Sequence, residues 1–122
     1  MQRDIDLIRS ILLDLEARGS YTDWLDVDVE AYSPEQVDYH LELLIEAGFV
    51  VVPASGRELS RRHPLRLTWD GHEFLDAARN DMRWHRVKAS VDEIDGLPFA
   101  FVKAALLDMA RQEAAEHLSS SG

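Results

Sequence analysis

A helix with strong start and stop signals, followed at once by a short apolar stretch, constrains the fold of this chain more than any other feature. Residues 33–48 read SPEQVDYHLELLIEAG. The serine suits an N-cap, the proline suits the first helical position, and the glutamine can complete a capping box. Gly48 can adopt the left-handed conformation that closes a helix. These signals predict a helix that runs to Ala47. Its predicted buried stripe consists of Val37, Leu41, Leu44 and Ile45.

Two short apolar stretches after this helix predict a β-hairpin. FVVVP ends at Pro53, and LRLTW, residues 65–69, alternates apolar and polar side chains. The polar stretch between them contains Gly56 and Pro64, which favour a loop. We therefore expect an antiparallel pair of strands joined by a polar loop.

The chain before residue 33 predicts one more helix and a strand. From Asp4 to Arg18, apolar residues recur at the spacing of one helix face. Leu25, Val27 and Val29 alternate with acidic residues, which predicts a short, half-exposed strand.

Two amphipathic helices are predicted after the hairpin. Asp70 would begin the first, with Glu73 in a second capping box. The break DGLP, residues 95–98, separates it from a last helix that begins at Phe99 and reaches about Leu118. A four-residue break between two such helices predicts an antiparallel helical hairpin. The seam of the earlier helix consists of Trp84, Val87, Val91 and Ile94.

The order of these elements predicts an α+β, predominantly helical fold. Helix, short strand, helix and β-hairpin wing describe a winged helix, here with a C-terminal antiparallel helical hairpin. Only residues 20–32 could hold the extra helix of the usual winged-helix core. We predict a single domain over 1–122, with 1–69 as the winged-helix core, 70–118 as the helical hairpin and 119–122 as a disordered tail.

The composition is that of a soluble globular protein, with 122 residues, 46% of them hydrophobic and 30% charged. The absence of cysteine excludes disulfides and thiolate metal sites and fits a reducing compartment. No apolar run approaches the ~18 residues needed to span a bilayer, so we expect a cytoplasmic protein without a membrane partner.

Charge is distributed unevenly along the chain, which has a net charge of -10. Residues 1–56 carry 3 basic and 12 acidic side chains, residues 57–88 carry 8 and 5, and residues 89–122 carry 2 and 6. The total argues against nonspecific coating of nucleic acid, which depends on cations. Positive charge is therefore concentrated in the middle of the sequence.

The basic middle segment is the candidate contact for double-stranded DNA. Recognition helices contact DNA chiefly through Arg, Lys, Asn and Gln, and the outward face of the helix over 33–47 offers only Gln36 besides its carboxylates. We therefore expect a basic wing in a groove, with the acidic helix turned away. The predicted nucleic-acid-binding residues are Arg57, Arg61, Arg62, Arg66 and Gln36, supported by Arg79 and Arg83.

Three other interpretations of these charges stay open. The arginines of a polar loop can simply be solvated, or they can meet the acidic half of a second copy. Alternatively, the acidic face with Asp38, Glu42 and Glu46 can engage a basic protein partner or mimic DNA, without any DNA binding.

No residue pattern indicates an enzyme, a metal site or a cofactor. His40 and His72 could share a core, but a metal site needs three or four ligands, so each imidazole is better explained as a half-buried hydrogen-bonding group that ties its helix to the wing strands. Asp70, His72 and Glu73 place acid beside base, but two of them already serve as helix caps. No phosphate loop or nucleophile motif occurs.

The C-terminal hairpin is the predicted dimer interface. If one side of the hairpin is apolar, an exposed patch would favour a homodimer about a twofold axis. The predicted interface residues are Trp84, Val87, Phe101 and Leu107.

Three stretches, RDIDLIRSILLDLE, VDYHLELLIEAGFV and LTWDGHEFLDAARND, resemble the uncharacterised bacterial and phage family catalogued as domain of unknown function 2513. The resemblance covers roughly residues 2–90 and implies a cytoplasmic protein often associated with mobile elements, with no catalytic residues. HLELLIEAGFV followed by LTWDGHEFL is also similar to the recognition and post-wing helices of winged-helix repressors, except in the charge of the helix. The expected function is a small, non-enzymatic, DNA-associated transcriptional regulator of mobile-element or phage type.

Overall fold

The computed structural model describes residues 2–18, 27–52, 65–94 and 96–121. The chain is predominantly helical with one two-stranded antiparallel sheet, which confirms the predicted fold class at that level. It divides into two compact units, Met1–Leu75 and Asp76–Gly122. No helix in the described part of the chain is long and apolar enough to cross a membrane. The elements are α1 (Ile5–Arg18), α2 (Pro34–Glu46), β1 (Val50–Val51), β2 (Arg66–Leu67), α3 (Trp69–Ala78), α4 (Asp81–Glu93) and α5 (Phe99–Ser121).

The core of the first unit lies between α1, α2 and the small sheet. α1 packs against α2 and β2, and α2 packs against β1. The rings of Phe49 and Phe74 stack in this core with centroids 5.3 Å apart. Burial of these apolar side chains supplies the main driving force for folding. The buried residues of α1 and α2 include Leu7, Ile8, Ile11, Leu12, Leu15, Val37, Leu41 and Leu44.

Both ends of α2 form as the sequence predicts. Ser33 Oγ accepts from the Gln36 amide at 3.2 Å, and Gln36 Oε1 accepts from the Ser33 amide at 2.9 Å. At the other end Gly48 has φ +81° and donates to Ile45 O at 3.1 Å, while Phe49 donates to Leu44 O at 2.9 Å. These two bonds are a Schellman motif, which satisfies carbonyls that the helix leaves open.

The structure confirms the predicted antiparallel strand pair, with two residues in each strand. Val50 pairs with Leu67 and Val51 pairs with Arg66. The connection between the strands includes residues 53–64, which lie outside the described residues. We refer to β1, β2 and their connection as the β-ribbon.

α3 begins one residue earlier than predicted, and its cap is Thr68 instead of Asp70. Thr68 Oγ1 accepts from the Gly71 amide at 3.0 Å and donates to Gly48 O, and the Thr68 amide donates to Phe49 O at 3.0 Å. Asp70 is exposed in the first turn. Thr68 therefore joins the start of α3 to the end of α2.

The prediction of a strand around Val27 and Val29 is wrong for the residues that the structure describes, 27–29. Val27 is buried, but residues 27–29 form no strand, and Val29 O accepts from the Tyr32 amide at 3.2 Å in a turn. Ala31 in this turn has φ +74°, a conformation that a β-carbon disfavours. The start of this prediction, including Leu25, lies outside the described residues.

Replacing Ala31 with glycine should raise the free energy of unfolding by about 0.5–1 kcal/mol. Glycine removes the clash of the β-carbon at positive φ, and this gain exceeds its larger entropy loss on folding. Ala47, with φ -75°, is the matched control, since Ala47→Gly should only destabilise. Urea titrations of both variants would measure the difference, and equal destabilisation by both would contradict the expectation.

The second unit contains the hairpin of α4 and α5, and the helix predicted to precede α5 is interrupted. α3 ends at Ala78 and α4 begins at Asp81, with Asn80 Oδ1 accepting from the Arg83 amide at 2.9 Å as an N-cap. The prediction of one continuous helix from Asp70 to Ile94 is therefore wrong, because Asn80 starts a new helix. α4 packs against α5, which continues to Ser121, three residues beyond the predicted end.

Candidate nucleic-acid interface

The structure describes only part of the predicted nucleic-acid-binding set. Arg57, Arg61 and Arg62 lie outside the described residues. Arg66 is exposed on β2, and its Nη1 donates to Leu67 O at 3.3 Å. β2 therefore presents at least one cation to solvent.

Both the side chain and the backbone carbonyl of Gln36 form hydrogen bonds within the first turns of α2. Its Oε1 accepts from the Ser33 amide in the capping box, and its backbone carbonyl accepts from His40. The cap fixes the carboxamide through its oxygen, so a two-point base contact, which needs both the oxygen and the nitrogen, would have to disturb the helix cap. Gln36 is thus a positioning residue of α2 in this structure.

Both supporting arginines pair with carboxylates, although Arg79 remains 42% exposed. Arg79 Nη2 lies 2.6 Å from Asp76 Oδ1. Arg83, whose side chain is 12% exposed, pairs with Glu113 and donates through Nη1 to Ala77 O at 2.8 Å. The expected DNA support by Arg83 is therefore corrected: this guanidinium closes the end of α3 and joins α4 to α5.

The Arg83–Glu113 pair shows that α4 and α5 are antiparallel. Arg83 lies in the first turn of α4, whereas Glu113 lies well along α5. The hydrogen bond from Arg83 holds the pKa of Glu113 below its ordinary value, with a smaller contribution from the charge of Arg86.

Arg83→Ala should destabilise the chain by about 1.5–3 kcal/mol, because the Ala77 carbonyl loses its donor, Glu113 loses its cation and the packing of the buried Arg83 stem is lost. Arg79→Ala is the matched control. Its pair with Asp76 is solvent-exposed and should contribute less than about 1 kcal/mol. Chemical denaturation of both variants distinguishes them, and equal losses would show that Arg83 has no special structural role.

The outward face of α2 is acidic throughout. Glu35, Glu42 and Glu46 are exposed, and Asp38 is half-buried at the same helical spacing. Glu35, Glu42 and Glu46 form no ion pair with any residue in the described ranges. A phosphate backbone would meet uncompensated negative charge on this face.

A buried polar network, which sequence reasoning missed, joins α1 to α2. His40 is 2% exposed, and its Nε2 accepts from the Asp4 amide at 2.9 Å. Nδ1 therefore carries the imidazole hydrogen and donates to Gln36 O at 2.7 Å. Asp4 Oδ1 caps α1 through the Asp6 and Leu7 amides, at 2.9 Å and 3.1 Å.

Tyr32 completes this network, and its hydroxyl donates to Asp4 Oδ2 at 3.0 Å. Burial, and then the hydrogen bond and the negative charge of Asp4, raise the pKa of Tyr32.

The expected link of His40 to the wing strands is wrong, since the partner of His40 is the start of α1. His72, expected to be half-buried, is exposed on α3. Among the residues that the structure describes, no group of histidines and carboxylates could hold a metal ion.

The predicted dimer interface is only partly at the surface. Trp84 and Val87 are 2% and 3% exposed, so the expectation that they form an exposed patch is wrong. Their position on the seam of α4 buries them within the folded chain. Phe101 is 48% exposed, and Leu107 is half-buried.

Comparison with known proteins places this sequence in a family. Residues 2–98 match the family described as hypothetical protein (DUF2513). The chain belongs to this family, which confirms the predicted resemblance. It is also 43% identical over 97 residues to a protein of Haemophilus influenzae named as uncharacterized, and the match covers 75% of this chain and 79% of that protein. No solved structure matches the chain.

The family match covers α1 to α4 and ends before α5 begins. Glu113, which pairs with Arg83 of α4, therefore lies outside the matched region. The polar network of Asp4, Tyr32 and His40 lies inside it.

Proposed function

We propose that this protein is a non-enzymatic, DNA-associated regulator of winged-helix type, which contacts duplex DNA through its basic β-ribbon. The observation that carries the proposal is the antiparallel pairing of β1 with β2 directly after α2, which is the order of a recognition helix and its wing. Arg66 is exposed on this ribbon, and the sequence places Arg57, Arg61 and Arg62 in its connection.

Electrostatics favours docking by the ribbon over docking by α2. Phosphate contacts need cations, and log affinity falls with log salt in proportion to the number of phosphates neutralised. The exposed carboxylates of α2 would repel phosphate, so this face turns away from the duplex. Arg79 and Arg83 are engaged with carboxylates of the second unit, which leaves the ribbon as the basic element of the interface.

The experiment is binding of the full chain to a random-sequence duplex at two salt concentrations. We expect binding at ~50 mM salt that weakens steeply as salt rises, and we expect Arg61→Ala with Arg62→Ala to weaken it at least tenfold. Glu58→Gln in the same loop is a control, and it should bind at least as tightly as the natural sequence. No detectable binding at ~50 mM salt would refute the proposal.

A second candidate function uses the acidic face of α2 as a protein-interaction surface or a DNA mimic. Glu35, Glu42 and Glu46 favour it, because they are exposed at helical spacing and have no ion-pair partner among the described residues. This function predicts no duplex binding at any salt concentration. The same titration therefore separates the two candidates.

Homodimerisation is part of the proposal, with Phe101 and Leu107 as the remaining interface residues on α5. A twofold contact would place each Phe101 against the partner copy. Light scattering after size-exclusion chromatography tests it. A monomer at high concentration would refute the dimer without bearing on DNA binding.

A further inference from the structure

Trp69 is the most exposed large hydrophobic residue in the described part of the chain, at 79%. It is the first residue of α3 and follows β2 almost directly. No aromatic ring or cation among the described residues lies against its indole. An aromatic side chain of this size is usually buried, and tryptophan is enriched in protein interfaces because it supplies a large contact area.

The backbone that carries Trp69 is fixed on both sides. Thr68 is bound to Gly48 and Phe49, and its hydroxyl also accepts from the Gly71 amide. Gly71 itself lies so close to Phe49 O that a β-carbon there would be 2.2 Å from that oxygen. Trp69 thus stands on a rigid corner, and binding of a partner there costs little backbone entropy.

The surroundings of Trp69 are acidic. Glu73 lies one helical turn further on, on the same face of α3, and Asp70 is adjacent; both are exposed. Neither carboxylate forms an ion pair with another described residue. The described residues of the first unit carry twelve acidic and four basic side chains, a net charge of -8.

We propose that Trp69 and Glu73 form a contact site for an arginine- or lysine-bearing segment of a partner protein. A guanidinium or ammonium group over the face of an indole is attracted by the ring, and tryptophan is the strongest ring for this contact. Glu73 would pair with the same cation, and Asp70 adds to the local potential. The contact uses residues of α3 and does not depend on DNA binding.

The test uses a fluorescently labelled hexaarginine peptide and the full chain. Trp69→Ala should weaken binding about 2- to 30-fold. Trp69→Phe should retain part of the affinity, and Glu73→Gln should weaken binding and flatten its salt dependence. Met82→Ala is the matched control, since Met82 is 70% exposed in the second unit and should leave the affinity unchanged. Circular dichroism checks that each variant is folded.

Two results would overturn the proposal. If Trp69→Ala and Met82→Ala both bind the peptide as tightly as the natural sequence, the peptide binds through the net negative charge of the chain and not through Trp69. If Trp69→Ala leaves peptide binding unchanged but weakens binding to the duplex, Trp69 is a nucleic-acid contact instead. Failure of duplex binding in every variant would refute the DNA proposal alone, because the peptide assay does not involve the ribbon.

Discussion

Gly71→Ala is expected to destabilise the folded chain by about 3 kcal/mol or more. The added β-carbon would lie 2.2 Å from Phe49 O and 3.1 Å from its carbonyl carbon. Both atoms belong to backbone, so no side-chain rotation can relieve the contact, and either α3 or the strand end must move. Overpacking of this kind costs about 1–3 kcal/mol in well-packed sites, and here the shift would also stretch the bond from the Thr68 amide to Phe49 O.

Gly48→Ala separates this steric effect from backbone strain. Gly48 has φ +81°, but a β-carbon there would have no atom within 4 Å. Its replacement should therefore cost only about 1 kcal/mol, from the left-handed conformation. Urea or thermal unfolding of both variants measures the difference. A Gly71 variant as stable as the Gly48 variant would mean that α3 does not approach Phe49 as described.

His40→Leu should cost about 2 kcal/mol of the free energy of unfolding, although leucine is apolar and similar in size. The Asp4 amide would lose its acceptor, and the Gln36 carbonyl would lose the imidazole donor, both in a part-buried position. A buried donor without a partner costs about 1–3 kcal/mol.

Tyr32→Phe is the control within the same network. It removes only the hydroxyl bond to Asp4 Oδ2, and this carboxylate still caps α1, so we expect a loss of about 1 kcal/mol. Hydrogen exchange of the Asp6 and Leu7 amides would show whether the start of α1 loosens. Unchanged exchange and stability in His40→Leu would exclude a structural role for this imidazole.

The elements that sequence reasoning predicted well are those determined by near neighbours. Ser33 and Gln36 cap α2 through bonds between residues three apart, and Gly48 closes the same helix locally. The apolar run around Val50 and the alternation around Leu67 also indicated the antiparallel pair. For the two caps of α2, the sequence within a few residues contains the whole physical cause, whereas the strand pair also needs Val50 and Leu67 to meet across the connection.

The predictions that failed depend on contacts distant in sequence. Thr68 and Asp70 are both acceptable N-caps, and only the bonds of Thr68 to Gly48 and Phe49 decide between them. The partner of His40 lies 36 residues away, so helical periodicity could place it on the inner side but could not identify the Asp4 amide. Asn80 differs from these, because its N-cap bond to the Arg83 amide joins residues three apart and is a local signal that the prediction of one continuous helix missed.

The candidate interface was predictable as a charge pattern and not as a set of side chains. The excess of positive charge over 57–88 is visible in the sequence, but Arg83 is drawn to Glu113 by the packing of α4 on α5. Trp69 is of a residue type usually found in a core or an interface, and only the fold shows that it is exposed.

α4 and α5 are joined by five residues, 94–98, whereas the contact between Asp4 and His40 joins residues 36 apart. The entropy lost in closing a loop grows with the length of the loop. The helical hairpin can therefore form before α1 packs against α2. A refolding chain should therefore pass through species in which the second unit is organised while the first is still being formed.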